Sequence, residues 1–441
     1  MSPTFRSLHV RNYRLFATGQ VVSLSGTWAQ RVAQDWLVLL IAPNPGVALG
    51  ITTALQFLPM LLFGLYGGVL ADRYDKRRLL VGAQAAMGIL ALTLGVLDLT
   101  GAVRLWHVYA LAFGLGLASV VDTPVRQSFV SDLVGPDDLP NAVSLNSATF
   151  NSARIVGPAL AGVAISGVGT AWVFLANGLS YIAVIAGLVM MRPSEMWQTA
   201  RQPRAKGQLL EGIAYVRARP QLYVPMVLVF MIGTFGLNFQ ITLALVAKQV
   251  FHTGPGAFGL LTSCFAVGSL LGALQSARRK GLPRTRTMLA SGLAFGLLEV
   301  VVGLAPSFLA MAALLVPTGI AVLMFTTTTN ALVQLAAAPE LRGRVMAIYV
   351  LVFLGGTPVG APLIGVVANS LGPRASLLVG GAVCALSALA AAAFLTRIGG
   401  LRLEPHLVRR RPHVHVRLAD LPGVGLGRLP ARAGEDLVQP R

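Results

Sequence analysis

Tyr66-Gly67-Gly68-Val69-Leu70-Ala71-Asp72-Arg73-Tyr74-Asp75-Lys76-Arg77-Arg78-Leu79-Leu80 decides the fold. An apolar run long enough to cross a bilayer ends at Asp72. Arg73, Lys76, Arg77 and Arg78 follow at once, and then a second long apolar run begins. A cluster that basic between two spanning helices belongs on the cytoplasmic side, so it predicts the orientation of the whole chain.

The remainder of the chain agrees. Its 441 residues are 55% hydrophobic and only 12% charged, whereas a soluble domain carries roughly 25% charged residues. The apolar runs are continuous rather than alternating, which disfavours a β-barrel. A ruler of roughly 17–25 apolar residues per span predicts twelve spans: 15–41, 47–71, 79–98, 105–130, 141–167, 171–191, 222–248, 256–277, 287–304, 308–336, 345–370 and 375–396. The formal net charge of +19 suggests nucleic acid at first sight, but its distribution argues against that partner. Of the lysines and arginines, only Arg104, Lys248 and Arg374 fall on the predicted outer side, and only Arg31, Arg126 and Arg154 fall inside spans. The others gather in the N-terminus, alternate loops and tail, as the positive-inside rule requires.

Four parts follow. Residues 1–191 form a six-helix half and 222–397 a second one. Residues 192–221 link them, and 398–441 form a basic tail expected to be disordered and cytoplasmic. In the link, Leu209, Leu210, Ile213 and Val216 share a face at helical spacing, which predicts a short amphipathic helix on the inner leaflet. The halves repeat: at one offset Pro136 matches Pro339, Gly157 matches Gly360, Gly162 matches Gly365 and Gly169 matches Gly372. This favours a parallel duplication.

Twelve spans in two halves with a basic link after the second resemble the major facilitator superfamily. The resemblance rests on Gly68, Leu70, Ala71, Asp72, Arg73, Lys76 and Arg77, with Asp75 where that family usually has glycine. An Asx-type hydrogen bond is expected to build the turn there instead. Asn12-Tyr13-Arg14-Leu15-Phe16, Thr27-Trp28 with Gln30, and the stretch from Asp122 to Phe129 further resemble the enterobactin-exporter and multidrug-efflux branch. Gly157, Pro158 and Gly162 in the fifth span are similar to the antiporter signature of exporting members. The resemblance implies an all-α integral membrane protein of twelve helices with the major facilitator fold. It implies proton-coupled export of a small hydrophobic or siderophore-like molecule across the cytoplasmic membrane, by a monomer with both termini inside. A facilitator or importer of the same fold, and a non-transporting membrane sensor, are the alternatives. It also implies that Gly68, Asp72, Arg73, Lys76 and Arg77 latch the cytoplasmic face, with Asp72 meeting the positive N-terminus of the eleventh span near Arg344.

A charge at a helix centre costs about 2.5–3.5 kcal/mol on insertion scales, so each needs a reason. Arg31 and Asp35 are four apart in the first span, and Asp122 and Arg126 four apart in the fourth. Each pair shares a helix face and is expected to neutralise itself. Arg154 has no local acid and needs one from another helix or from an anionic substrate. Asp35 and Asp122 are the candidate proton carriers; Arg31, Arg126 and Arg154 are their candidate partners. No phosphate-binding loop, metal-ligand spacing or nucleophile elbow occurs, so neither an ATP-driven pump nor a membrane enzyme is expected, and no cofactor or metal. The expected partners are a small-molecule substrate, protons and membrane lipid.

Overall fold

A computed structural model describes residues 3–197, 208–278, 283–339, 341–398, 402–406 and 413–417; of residues 3–4, 208–210, 402–406 and 413–417 and of Leu65 and Asp72 only the backbone is described. Helices α1 (Arg11–Ile41), α2 (Pro45–Arg73), α3 (Lys76–Leu99), α4 (Leu105–Leu133), α5 (Leu139–Val168) and α6 (Thr170–Val189) make the first half. A short α7 (Gln208–Arg217) follows in the link. The seventh span is broken: α8 (Pro220–Met231), a π turn at Ile232–Gly236, α9 (Phe239–Leu245) and a second π turn at Val246–Val250. Helices α10 (Pro255–Arg278), α11 (Thr285–Gly303), α12 (Phe308–Ala336), α13 (Arg342–Leu371) and α14 (Pro373–Arg397) complete the second half.

Among the described residues, ten spans are long and apolar enough to cross a membrane. α1 and α5 equal them in length, with 31 and 30 residues, but are more polar. Three polar groups of α1 are taken up by neighbouring helices. Asn177 of α6 donates to Gln30 at 2.6 Å, Gln34 donates to Gln56 of α2 at 3.4 Å, and Thr27 shares a hydrogen bond with the Tyr181 hydroxyl at 3.1 Å. Polar residues are retained in spans where they face the bundle interior and find partners.

The repeat read from the sequence has a structural counterpart at each glycine. Gly169 and Gly372 take φ of 91° and 94°, each forming the turn between two helices; side chains rarely tolerate that backbone. Gly157 packs on the backbone of α1, and Gly360 packs on Thr234 in the seventh span. Gly162 meets Gly256 of α10, and Gly365 meets Gly46 of α2. Gly157 and Gly360 thus have equivalent seats within their own halves, and Gly162 and Gly365 equivalent seats against the opposite half.

Those last contacts are the two seams between halves. A Cβ on Gly46 would stand 2.6 Å from the Gly365 carbonyl oxygen, and one on Gly50 2.6 Å from that of Ala361. Hydrogen bonds also cross between the halves: Asn369 to Asn44 (3.4 Å), Lys248 to the Leu39 carbonyl (2.8 Å), Ser263 to the Ile155 carbonyl (2.9 Å) and Arg154 to Ser269 (3.2 Å). They run from the α1–α2 loop to the middle of the bundle, away from the basic links.

At the basic end of the first half, Tyr13, Phe16, Val125, Phe129, Leu133 and Leu188 form a buried core. The Tyr13 hydroxyl donates to the Ala142 carbonyl at 2.9 Å. Residues through Leu389 form one compact unit and Ala390–Arg441 a second. Within the stretch expected to be disordered, Arg402–His406 and His413–Arg417 instead pair as an antiparallel hairpin, with Leu403 opposite Val416. The alternation His413-Val414-His415-Val416 supplies β-branched residues at the spacing a strand needs. The remaining residues after 398 and residues 198–207 of the link lie outside the described residues.

Candidate functional site

The fourth span carries the expected ion pair. Arg126 Nε lies 3.1 Å from Asp122 Oδ2, and both side chains are largely buried. The other carboxylate oxygen accepts from Gln84 of α3 at 2.7 Å, a partner not anticipated from the sequence. Pro124 lies between the two charges and lacks the N–H that would bond the Val120 carbonyl. Gly67 of α2 packs directly onto that carbonyl oxygen. The helix ladder is thus open at Asp122, where a neighbour without a side chain covers the gap.

The pair expected in α1 does not close. Asp35 is buried, with 5% of its surface exposed, and makes no hydrogen bond or ion pair among the described residues. The Arg31 guanidinium turns the other way, 4.7 Å from the centre of the Trp28 ring and 5.9 Å from that of Phe57. Its Nε is buried without a hydrogen-bond partner among the described residues. The reason is helix geometry: long side chains lean toward the helix N-terminus. Arg31 precedes Asp35, so it leans toward Trp28; Arg126 follows Asp122, so it leans onto its acid.

Arg154 of α5 pairs with no acid among the described residues either. It donates to Ser269 of α10 and lies 6.0 Å from the Trp28 ring centre and 5.9 Å from that of Phe265. The structure thus brings Arg31 and Arg154 to one indole and keeps Asp122–Arg126 as a separate closed pair. Trp28 is the residue that sequence reading placed in a family motif without giving it a role. Its spacing of three from Arg31 was the available signal.

Gly157, Pro158 and Gly162 build the junction that sets this geometry. A Cβ on Gly157 would stand 2.6 Å from Trp28 Cβ and 2.8 Å from the Ser25 carbonyl oxygen. Further along the helix, Gly162 packs within 3.0 Å of the Gly256 backbone by the same measure, and Gly259 packs on the Pro158 carbonyl. The motif therefore holds α5 against α1 on one side and α10 on the other, close enough for Arg154 to reach both.

The basic motif holds the base of the first half. Asp75 caps α3, accepting from the Arg78 amide at 2.8 Å, as its place in the turn predicted. Lys76 pairs with Asp132 at 2.8 Å and donates to the Ser128 carbonyl at 3.2 Å. Arg77 donates to the Leu188 and Val189 carbonyls at 2.6 and 2.7 Å, a cation at the negative end of α6. Arg73 is exposed. The Asp72 side chain, with its predicted latch, lies outside the described residues, as does any contact that Gly68 makes with it. Arg344, at the helix N-terminus that Asp72 is expected to face, pairs with Glu211 of α7. α7 docks there through Gly212, against Ile348 and Arg344, while the Tyr215 hydroxyl accepts from the Ala338 amide at 3.0 Å. This is a protein contact beside the leaflet contact read from its amphipathic face; Leu209 and Leu210 lie outside the described side chains.

Among the described residues, long helical segments in number consistent with twelve spans, glycine seams between two repeated halves and half-buried charged side chains at the seam define a membrane transporter of the major facilitator type. Solved structures agree on the fold: a bacterial homologue of the lysosomal transporter Spinster, inward-facing and unoccupied, aligns with a TM-score of 0.70 at 16% identity, covering 90% of this chain and 98% of that one. The nucleoside transporter NupG gives 0.68 at 13% identity, over 87% and 99%. The chain belongs to the transmembrane secretion effector family, whose model matches residues 2–423. It is similar to the staphyloferrin A transporter of Staphylococcus aureus, 24% identical over 59% of this chain and 66% of that protein. It is also similar to macrolide efflux protein A of Streptococcus pyogenes (21%, over 86% and 94%) and to the enterobactin exporter EntS of Salmonella typhi (24%, over 76% and 80%).

Proposed function

We propose that this chain is a secondary active exporter that moves a small hydrophobic or siderophore-like molecule out of the cell in exchange for protons. It works by alternating access, in the inner membrane, with the basic links and both termini in the cytoplasm. The observation that carries the reading is the placement of the seams. The described cross-half hydrogen bonds and the glycine contacts at Gly46, Gly50, Gly162 and Gly259 hold the end opposite the basic links together. On this reading Arg31, Arg154 and Asp122 lie deeper, along a pocket between the halves that opens toward the basic end. Export would load such a pocket from the cytoplasm. The naming of relatives as siderophore and macrolide transporters supports the substrate range.

Proton coupling is assigned to Asp122 and Asp35. Asp122 is held by Arg126 and Gln84, so protonation frees Arg126 to change partners as the halves rock. Gly68, Asp72 and Arg73 are assigned to closing the cytoplasmic face, with Lys76 and Arg77 anchoring the motif. The test is accumulation of enterobactin, staphyloferrin A and a macrolide in everted membrane vesicles. The proposal expects uphill uptake of at least one that collapses with a protonophore; uptake that only equilibrates, with or without the protonophore, would assign a facilitator instead.

A further inference from the structure

Two half-buried guanidiniums that form no ion pair among the described residues are costly, and here they share one ring. Arg31 lies over Trp28 from its own helix, and Arg154 approaches the same indole from α5. Arg31 makes no hydrogen bond or ion pair among the described residues, and Arg154 makes one, to a neutral hydroxyl. Cation–π contact compensates only part of what a charge loses on entering a bundle. The donors that remain unused are therefore N–H groups of a planar fork, the geometry that grips a carboxylate with two parallel hydrogen bonds.

The surroundings add a second requirement. Phe57, Phe150 and Phe265 ring the Trp28–arginine group: Phe150 meets Trp28 edge-on at 5.9 Å, and Phe265 stacks on Phe239 at 4.5 Å. These come from both halves. Flat apolar walls with few polar groups at defined points are the usual make-up of a small-molecule pocket. The Asp35 carboxylate is the one acid on the same stretch of α1, and it forms no ion pair with either arginine.

We propose that Arg31 and Arg154 form, across the Trp28 ring, the binding site for a carboxylate-bearing organic anion with a flat, aromatic body. The inference rests on the transporter reading above and narrows its substrate class. It also adds a driving force: an inside-negative potential favours outward movement of an anion, while Asp122 remains free to exchange protons and Arg126 to change partners. Cationic drugs are disfavoured, because two guanidiniums stand where their charge would sit.

The test uses the purified full chain in detergent, with calorimetric titration of 2-naphthoate, the neutral 2-naphthylmethanol and the cation tetraphenylphosphonium. Binding of naphthoate at least tenfold tighter than of the other two is expected. Arg31→Gln and Arg154→Gln should each weaken it at least tenfold, while Arg154→Lys recovers part of the loss. Monodispersity and thermal midpoint verify folding; if Arg31→Gln does not fold, the Arg154 series decides. Equal affinity for the neutral analogue, or naphthoate affinity unchanged by Arg154→Gln, overturns the proposal. Failure to bind naphthoate by a protein that still accumulates other compounds in vesicles removes the anion site and leaves the exporter. Arginine-dependent binding without any vesicle transport does the reverse.

Discussion

α1 and α4 each place an arginine and an aspartate four residues apart, yet only one pair closes. In α4 the acid comes first, and Arg126 leans back onto Asp122. In α1 the arginine comes first, so it leans away from Asp35 and onto Trp28. The order acid-then-base at this spacing is the favourable one, and in a bundle interior the difference becomes qualitative. A closed pair stores a charge that can be exchanged. In the open pair Arg31 and Asp35 form no ion pair among the described residues. On the proposed reading the helices divide the work, with proton coupling resting on Asp122 of α4 and Asp35 of α1, and substrate recognition on Arg31 of α1 and Arg154 of α5.

Substitutions can break this contrast. Asp122→Asn leaves Arg126 buried without a counter-charge, and losing one partner of a buried pair costs about 3–5 kcal/mol. A thermal midpoint well below wild type is expected by differential scanning fluorimetry; adding Arg126→Gln should restore most of the stability. A midpoint unmoved by Asp122→Asn would mean that the pair is not closed in the protein. Next comes the junction that sets the recognition side. Gly157→Ala drives a methyl group into Trp28 and the Ser25 carbonyl, an overpacking cost of about 1–3 kcal/mol. Gly82→Ala inside α3, where nothing lies within 4 Å, is the matched control and should raise the midpoint slightly, a gain of about 0.4–1 kcal/mol.

Smaller effects sharpen the contrast further. Asp75→Ala removes the α3 cap and should cost about 1 kcal/mol, read as a modest fall in midpoint with transport retained. Asp35→Asn should change the midpoint least, by less than about 1 kcal/mol, since no ion pair is lost. Stability loss equal to that of Asp122→Asn would show that the α1 pair closes after all.

Much of this architecture is legible in the residues alone. Span positions are readable because apolar runs between basic links obey one length rule. α12, read as 308–336, occupies Phe308–Ala336. The paired glycines are readable because close backbone contact admits few other residues. The α4 pair is legible from spacing, and Asp75 from turn chemistry. The open α1 pair is misread when spacing alone is used, although residue order already favours Trp28. Gln84 escapes notice because a lone glutamine in an apolar helix gives no sign of which helix it faces. The breaks at Ile232–Gly236 and Val246–Val250 leave no mark, since a π turn is fixed by packing rather than by composition. The docking of α7 depends on Arg344, far along the chain, and no local pattern encodes that partner.

The central claim is that the α4 couple converts a proton gradient into uphill movement. Everted vesicles carrying wild type or the Asp122→Asn, Arg126→Gln double variant test it directly, with any accumulated compound of the panel followed alongside internal pH. The account predicts that wild type concentrates the compound with matching proton release, while the double variant only equilibrates it. Concentration by the double variant at the wild-type level would contradict the account.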